Sequence, residues 1–142
     1  VSVRGLLEYL AQQIGNHLDE WVVDYQQAER STQLSTTAGG VVVVRPLSVV
    51  FARELEPLAG AVGGASHYVV VLGFTAFAAK RATPLEGYDE ILGLYRFLSS
   101  HSMRRGGGAY VTMEEVSGLE FTQEAGQVVG EWQQRYHLRY AR

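Results

Sequence analysis

The sequence predicts an α+β fold: a largely antiparallel sheet, two helices packed on it, and a closing C-terminal β-hairpin. Three observations carry that prediction. From Val128 every second residue reads Val, Gly, Trp, Gln, Tyr, Leu, Tyr, and the intervening set reads Val, Glu, Gln, Arg, His, Arg, Ala. Strict alternation over this length argues a long strand with one face on a core. Two stretches instead place apolar residues at helical spacing, one near the start and one after Pro84. Between them lie β-branched runs, which favour strands.

Leu6, Leu7, Leu10, Ile14 and Leu18 fall on one helical face, with Glu8, Gln12 and Gln13 opposite. Ser2 is a reasonable N-cap, and Gly15-Asn16 a reasonable stop. Trp21 to Tyr25 reads as a short strand. Gln26 to Gly40 is rich in Ser, Thr and Gln and reads as a loop or arm, mobile until a neighbour orders it. Val41 to Val44, then Arg45-Pro46, then Leu47 to Phe51 read as an edge strand or two short strands around a bulge, because proline lacks a ladder donor. Arg53 to Ser66 reads as a connection, with Pro57 and Gly60, Gly63 and Gly64.

His67 to Ala78 is apolar at both alternating sets of positions, as expected for a central strand covered on both sides. Thr83-Pro84-Leu85-Glu86 combines an N-cap threonine, a proline at the first helical position and a glutamate that completes a capping box. The helix it opens is expected to bury Tyr88, Ile91, Leu92, Tyr95 and Leu98 and to stop near Ser99-Ser100. Arg104-Arg105 with Gly106 to Gly108 reads as a basic connection. Ala109 to Phe121 reads as a strand, irregular near Gly118, followed by a turn over Thr122 to Gly126 and the terminal strand.

At 142 residues the chain is expected to form one domain, 1–142, with an arm at about 26–40. A hydrophobic fraction of 46% and a charged fraction of 19% suit a globular protein. Net charge is −3, too little for the whole molecule to coat nucleic acid. Lys80 is the only lysine and the other cations are arginines, which suits interfaces and equally suits a GC-rich genome. The absence of cysteine excludes disulfides, thiolate nucleophiles and cysteine-bound zinc. The most apolar run, Tyr68 to Ala79, is too short to span a bilayer, so no membrane contact is expected.

No residue pattern points to catalysis. His17, His67, His101 and His137 lack metal-ligand spacing. Gly106 to Gly108 lacks the lysine and hydroxyl of a phosphate loop and precedes a strand. Glu114 and Glu115 are adjacent on a strand, so they point to opposite faces and cannot act as a pair. The expectation is a protein that is not an enzyme and uses no cofactor and no metal. The surface offers more. Arg135, His137 and Arg139 share the polar set of the terminal strand, with Arg142 just beyond, and Arg104 and Arg105 form a second basic group. Such a face serves a subunit contact, a weak salt-sensitive contact with DNA, or plain solvation.

Taken together, several features resemble the tail terminator, or tail completion, proteins of long-tailed bacteriophages. These are the N-terminal helix, a strand, a polar arm, β-rich segments with a central strand, the Pro84 to Leu98 helix, and the hairpin from Tyr110-Val111-Thr112-Met113 to Trp132-Gln133-Gln134-Arg135-Tyr136. The resemblance implies a structural virion protein, assembled in the host cytoplasm. It implies a hexameric ring of this chain that caps the tail tube protein, joins the tube to the head–tail connector proteins and, in contractile tails, meets the sheath. Under that reading Arg135, His137 and Arg139 supply the basic side of a contact, and Arg104 and Arg105 touch another ring or DNA in a channel. Val41 and Val43 then pair across subunits.

Two other readings stand beside it. One is a small ligand-binding domain with a pocket between helices and sheet, for which Thr75 and Gln134, polar among apolar neighbours, are the candidate residues. The other is an adaptor that pairs strands with a partner through an exposed edge.

Overall fold

The computed structural model describes residues 3–18, 21–24, 40–52, 66–78, 84–100, 103–104, 109–124 and 127–140. Helix α1 (Val3–His17) leads into strand β1 (Trp21–Asp24). Strands β2 (Gly40–Ala52) and β3 (Ser66–Ala78) follow, then helix α2 (Pro84–Ser100), then β4 (Met103–Arg104), β5 (Ala109–Glu124) and β6 (Gln127–Tyr140). The strands form one six-stranded sheet in the order β1-β2-β3-β6-β5-β4. Every neighbouring pair is antiparallel except β1 with β2. The fold is therefore α+β, as the sequence patterning predicts.

The two periodicities explain the layers. Leu6, Leu7, Leu10 and Ile14 of α1 and Ile91, Leu94 and Leu98 of α2 enter one core. The same core takes Val42 and Val44 of β2, alternate residues of β3 from Val70 to Ala78, and Val128, Trp132, Tyr136 and Leu138 of β6. Both helices thus lie on one face of the sheet. His17 and Phe97 stack with ring centroids 4.3 Å apart, which joins the end of α1 to the end of α2. Trp21 Nε1 donates to Glu90 Oε2 at 2.9 Å and ties β1 to α2.

Several expectations are corrected. Helix α1 runs through Gly15-Asn16 to His17, and the Leu18 amide still donates to the Ile14 carbonyl. Burial of Ile14 outweighs the weak stop that glycine supplies. In α2 Leu94 is deeply buried between Ile91 and Leu98, whereas Leu92, Tyr88 and Tyr95 are only half-buried, because 91, 94 and 98 follow a single i, i+3, i+7 stripe. Residues 40–52 form one strand with a bulge between Pro46 and Ser48, and not two short strands. Arg104 belongs to a two-residue strand and not to a connection. Thr122 to Glu124 continue β5, and the Glu124↔Gln127 pair tightens the hairpin to the two positions between them. The parallel β1–β2 pair is unexpected from periodicity; it requires the chain to cross back between Asp24 and Gly40. Gly40, expected to end the arm at 26–40, opens β2, and Ser66, expected to end the connection from Arg53, opens β3; the rest of that arm and connection lies outside the described residues, as do Ser2 and Thr83.

Candidate functional site

The helices leave the second face of the sheet uncovered by any described helix, and that face is uneven. At one end Val43, Phe77 and Val129 are fully buried in a small second apolar cluster, with Val41 packed beside it. Further along β6 the outward residues Glu131, Gln133, Arg135 and His137 are half-buried, and the inward residues between them are fully buried. The strict alternation expected of the terminal strand therefore holds from Glu131 to Leu138 and fails at its start, where residues 127–130 are buried on both faces.

One register shift in β2 and two in β5 shape this face. In β2 the extra residue is Leu47: Pro46 pairs with Leu72 and Ser48 with Val71. One extra residue inverts the in–out alternation beyond it. Leu47 folds over Gly73, where a Cβ would lie 3.1 Å from Leu47 Cδ1. In β5 the pairing passes from Glu115↔Gln134 to Phe121↔Gly130, so β5 spends two residues more than β6. Two extra residues preserve the alternation, which is why Phe121 still turns inward to meet Tyr88 edge-on at 4.9 Å.

Between the bulges lies a concavity of about 190 Å³ lined by Arg45, Leu47, Gly73, Thr75, Glu120 and Glu131 among others. Glu120 and Glu131 pair directly across β5 and β6, an unfavourable like-charge arrangement on its own. Arg45 lines the same concavity, and its Nε is buried with no hydrogen-bond partner. The volume lies below the usual range for a small-molecule pocket, roughly 300–1,000 Å³. The concavity also sits on the face away from the helices. Thr75 belongs to it, whereas Gln134 does not. Gln134 is buried among the helices, where it accepts from Tyr136 Oη at 3.1 Å and approaches Ser99 Oγ at 3.4 Å. Among the described residues no group of three or more His, Cys, Asp or Glu side chains could hold a metal, and no described helix is long and apolar enough to cross a membrane.

The register shows which sequence-level candidates come together. Arg135 pairs with Val71 and Glu114, and His137 with Val69 and Thr112. Arg139 pairs with His67 and Tyr110, and Tyr110 pairs in turn with Arg104. Arg104 and Arg139, far apart in sequence, thus share one row of the sheet two strands apart, about 10 Å by strand spacing. Arg105 lies outside the described residues. Val41 and Val43 lie at the other end, paired with β1 on one side and β3 on the other, so this stretch has no free edge to offer a neighbour.

No protein-family model matches the chain, and no curated protein matches it.

Sequence reasoning alone does not find the Arg45, Glu120 and Glu131 grouping. The bulge at Pro46 is readable from its proline, but the pairing of Glu120 with Glu131 depends on a two-residue offset that no local pattern specifies.

Proposed function

We propose that this chain is a structural subunit of a phage-type tail, a terminator that assembles as a closed ring of six copies on the end of the tail tube. The observation that supports this reading is the half-buried polar row of β6 on the face away from both described helices. Both described helices pack on a single face, and the other presents half-buried Arg135 and His137 beside an apolar end that is already buried. A surface of this kind meets other proteins. Arginine there makes planar, multidentate contacts with carboxylates of a neighbour.

In this reading the ring partners are the tail tube protein on one side and the head–tail connector proteins on the other, with the sheath added in contractile tails. The row holding Arg104 and Arg139 is the basic end of the sheet, suited to an acidic neighbour or to DNA passing through the ring. The protein carries out no chemical step and uses no cofactor.

The test is made on the parent particle. With the gene deleted, tails should be overlong or fail to join heads in electron micrographs. Tails of normal length that still carry heads would reject the reading.

A further inference from the structure

We propose that one copy docks on the next by strand pairing, the outer half of β2 lying antiparallel against the β5 edge of a second copy. This names the subunit contact of the ring and rests on that reading for the number of copies only.

Four observations lead to it. The first is that both edges of the sheet are largely open among the described residues. Strand β1 pairs β2 only from Gly40 to Val43, and β4 pairs β5 only at Tyr110 and Val111. That leaves Val44–Ala52 on one edge and Thr112–Glu124 on the other.

Exposed apolar residues gather on the same two edges. Of the six large hydrophobic side chains exposed among the described residues, Val22, Leu47, Val49 and Val50 lie on β1 and β2, and Val116 lies on β5. Only Leu85 lies elsewhere. Val50 is 56% exposed within a strand whose first half is buried. Exposed apolar residues on an open strand edge mark a surface that another strand covers.

The charges are complementary. Strand β5 carries Glu114, Glu115, Glu120 and Glu124 and no cation, whereas β2 carries Arg45 and no acid. Two β5 edges would repel, and a β2 edge meeting a β5 edge would not.

The topology supplies the strand direction. Strand β2 is antiparallel to β3, β3 to β6, and β6 to β5. Strand β5 therefore runs opposite to β2, and a second copy continued head-to-tail presents β5 antiparallel to β2. A contact between two different edges is heterologous, the kind that closes into a ring when the rotation between copies allows it. Carried across with no offset along the strands, the rows align Val50 with Thr112 of the next copy, since Val50, Val69, His137 and Thr112 share one row, and the contact runs from Arg45 to Val50, with β5 bending away at its bulges to clear β1. Arg45 then falls level with the β5 bulge, between Glu114 and Glu120.

The chain has no cysteine, so engineered thiols report this contact cleanly. Within one copy positions 50 and 112 are three strand spacings apart, about 14 Å, too far for a disulfide. Val50→Cys and Thr112→Cys are made as separate full-length variants and oxidised alone and mixed. The 1:1 mixture should give a covalent dimer on a non-reducing gel, and neither variant should cross-link with itself. The double variant should give a ladder of multimers. Adding Leu47→Glu to the Val50→Cys chain should slow cross-linking by about tenfold through repulsion from the β5 glutamates, and Leu47→Lys should not. Dimers of Val50→Cys alone would overturn the proposal in favour of a two-fold contact. Absence of any cross-link in the mixture would overturn it too. Either failure is separate from the tail-length experiment, which tests the ring and not its contact.

Discussion

Gln134 and Tyr136 show how two polar groups sit inside an apolar core. Gln134 is fully buried, and its side-chain carbonyl accepts from the Tyr136 hydroxyl. Burial pushes the Tyr136 phenol well above its ordinary value of about 10. The buried phenol therefore stays neutral while an unfolded chain would ionise. Its contribution is complete below about pH 10 and is lost as pH rises toward the folded value. Tyr136→Phe removes the donor and leaves the Gln134 oxygen unsatisfied, so it should cost about 1–3 kcal/mol at neutral pH. In denaturant titrations the gap between the two proteins should narrow above about pH 10. A constant gap at every pH would show that the phenol is not buried in this way.

At the scale of elements, α2 lies close to the sheet because Gly130 has no side chain. A Cβ there would lie 2.6 Å from Ile91 Cγ2 and 3.0 Å from Leu119 Cδ1. The methyl of Ile91 cannot swing away easily, since a β-branched side chain in a helix keeps one preferred rotamer. Gly130→Val should therefore destabilise the protein by about 1–3 kcal/mol through overpacking. Combined with Ile91→Ala, it should cost less than the sum of the two single changes, measured as a double-mutant cycle. Strict additivity would mean that the helix does not approach β6 here. The start of the same helix offers a second test. Pro84 is its first residue and Glu86 lies in its first turn. Thr83→Ala should lower stability by about 1 kcal/mol by removing the cap, and an unchanged denaturation midpoint would count against the capping box.

At the scale of the whole molecule the proposed ring makes a graded prediction. Arg135→Gln with Arg139→Gln should leave the isolated fold intact, because Arg135 is half-buried on the outer face and a neutral side chain there creates no like-charge pair with Glu114 across the strand. In the particle the double variant should reproduce part of the deletion phenotype, with overlong or headless tails in electron micrographs. A wild-type distribution of tail lengths would remove Arg135 and Arg139 from the contact. If the fold itself were lost, circular dichroism of the purified variant would show it.

The sequence by itself determined the elements and their faces. The alternation of β6, the doubly apolar β3, the stripes of α1 and α2 and the proline start of α2 are local patterns, and local backbone geometry converts each into an element with a known buried side. The irregularities at Pro46 and Gly118 were legible for the same reason, since proline and glycine act where they stand. Only the tertiary structure decided which strands are neighbours and in what register. The parallel β1–β2 pair, the shared row of Arg104 and Arg139 and the meeting of Glu120 with Glu131 each join residues distant in sequence. Such pairings depend on the total burial achieved by the whole sheet. A one-residue slip at Leu47 or a two-residue slip after Glu115 changes what every later residue faces or meets, and no short stretch of sequence carries that information.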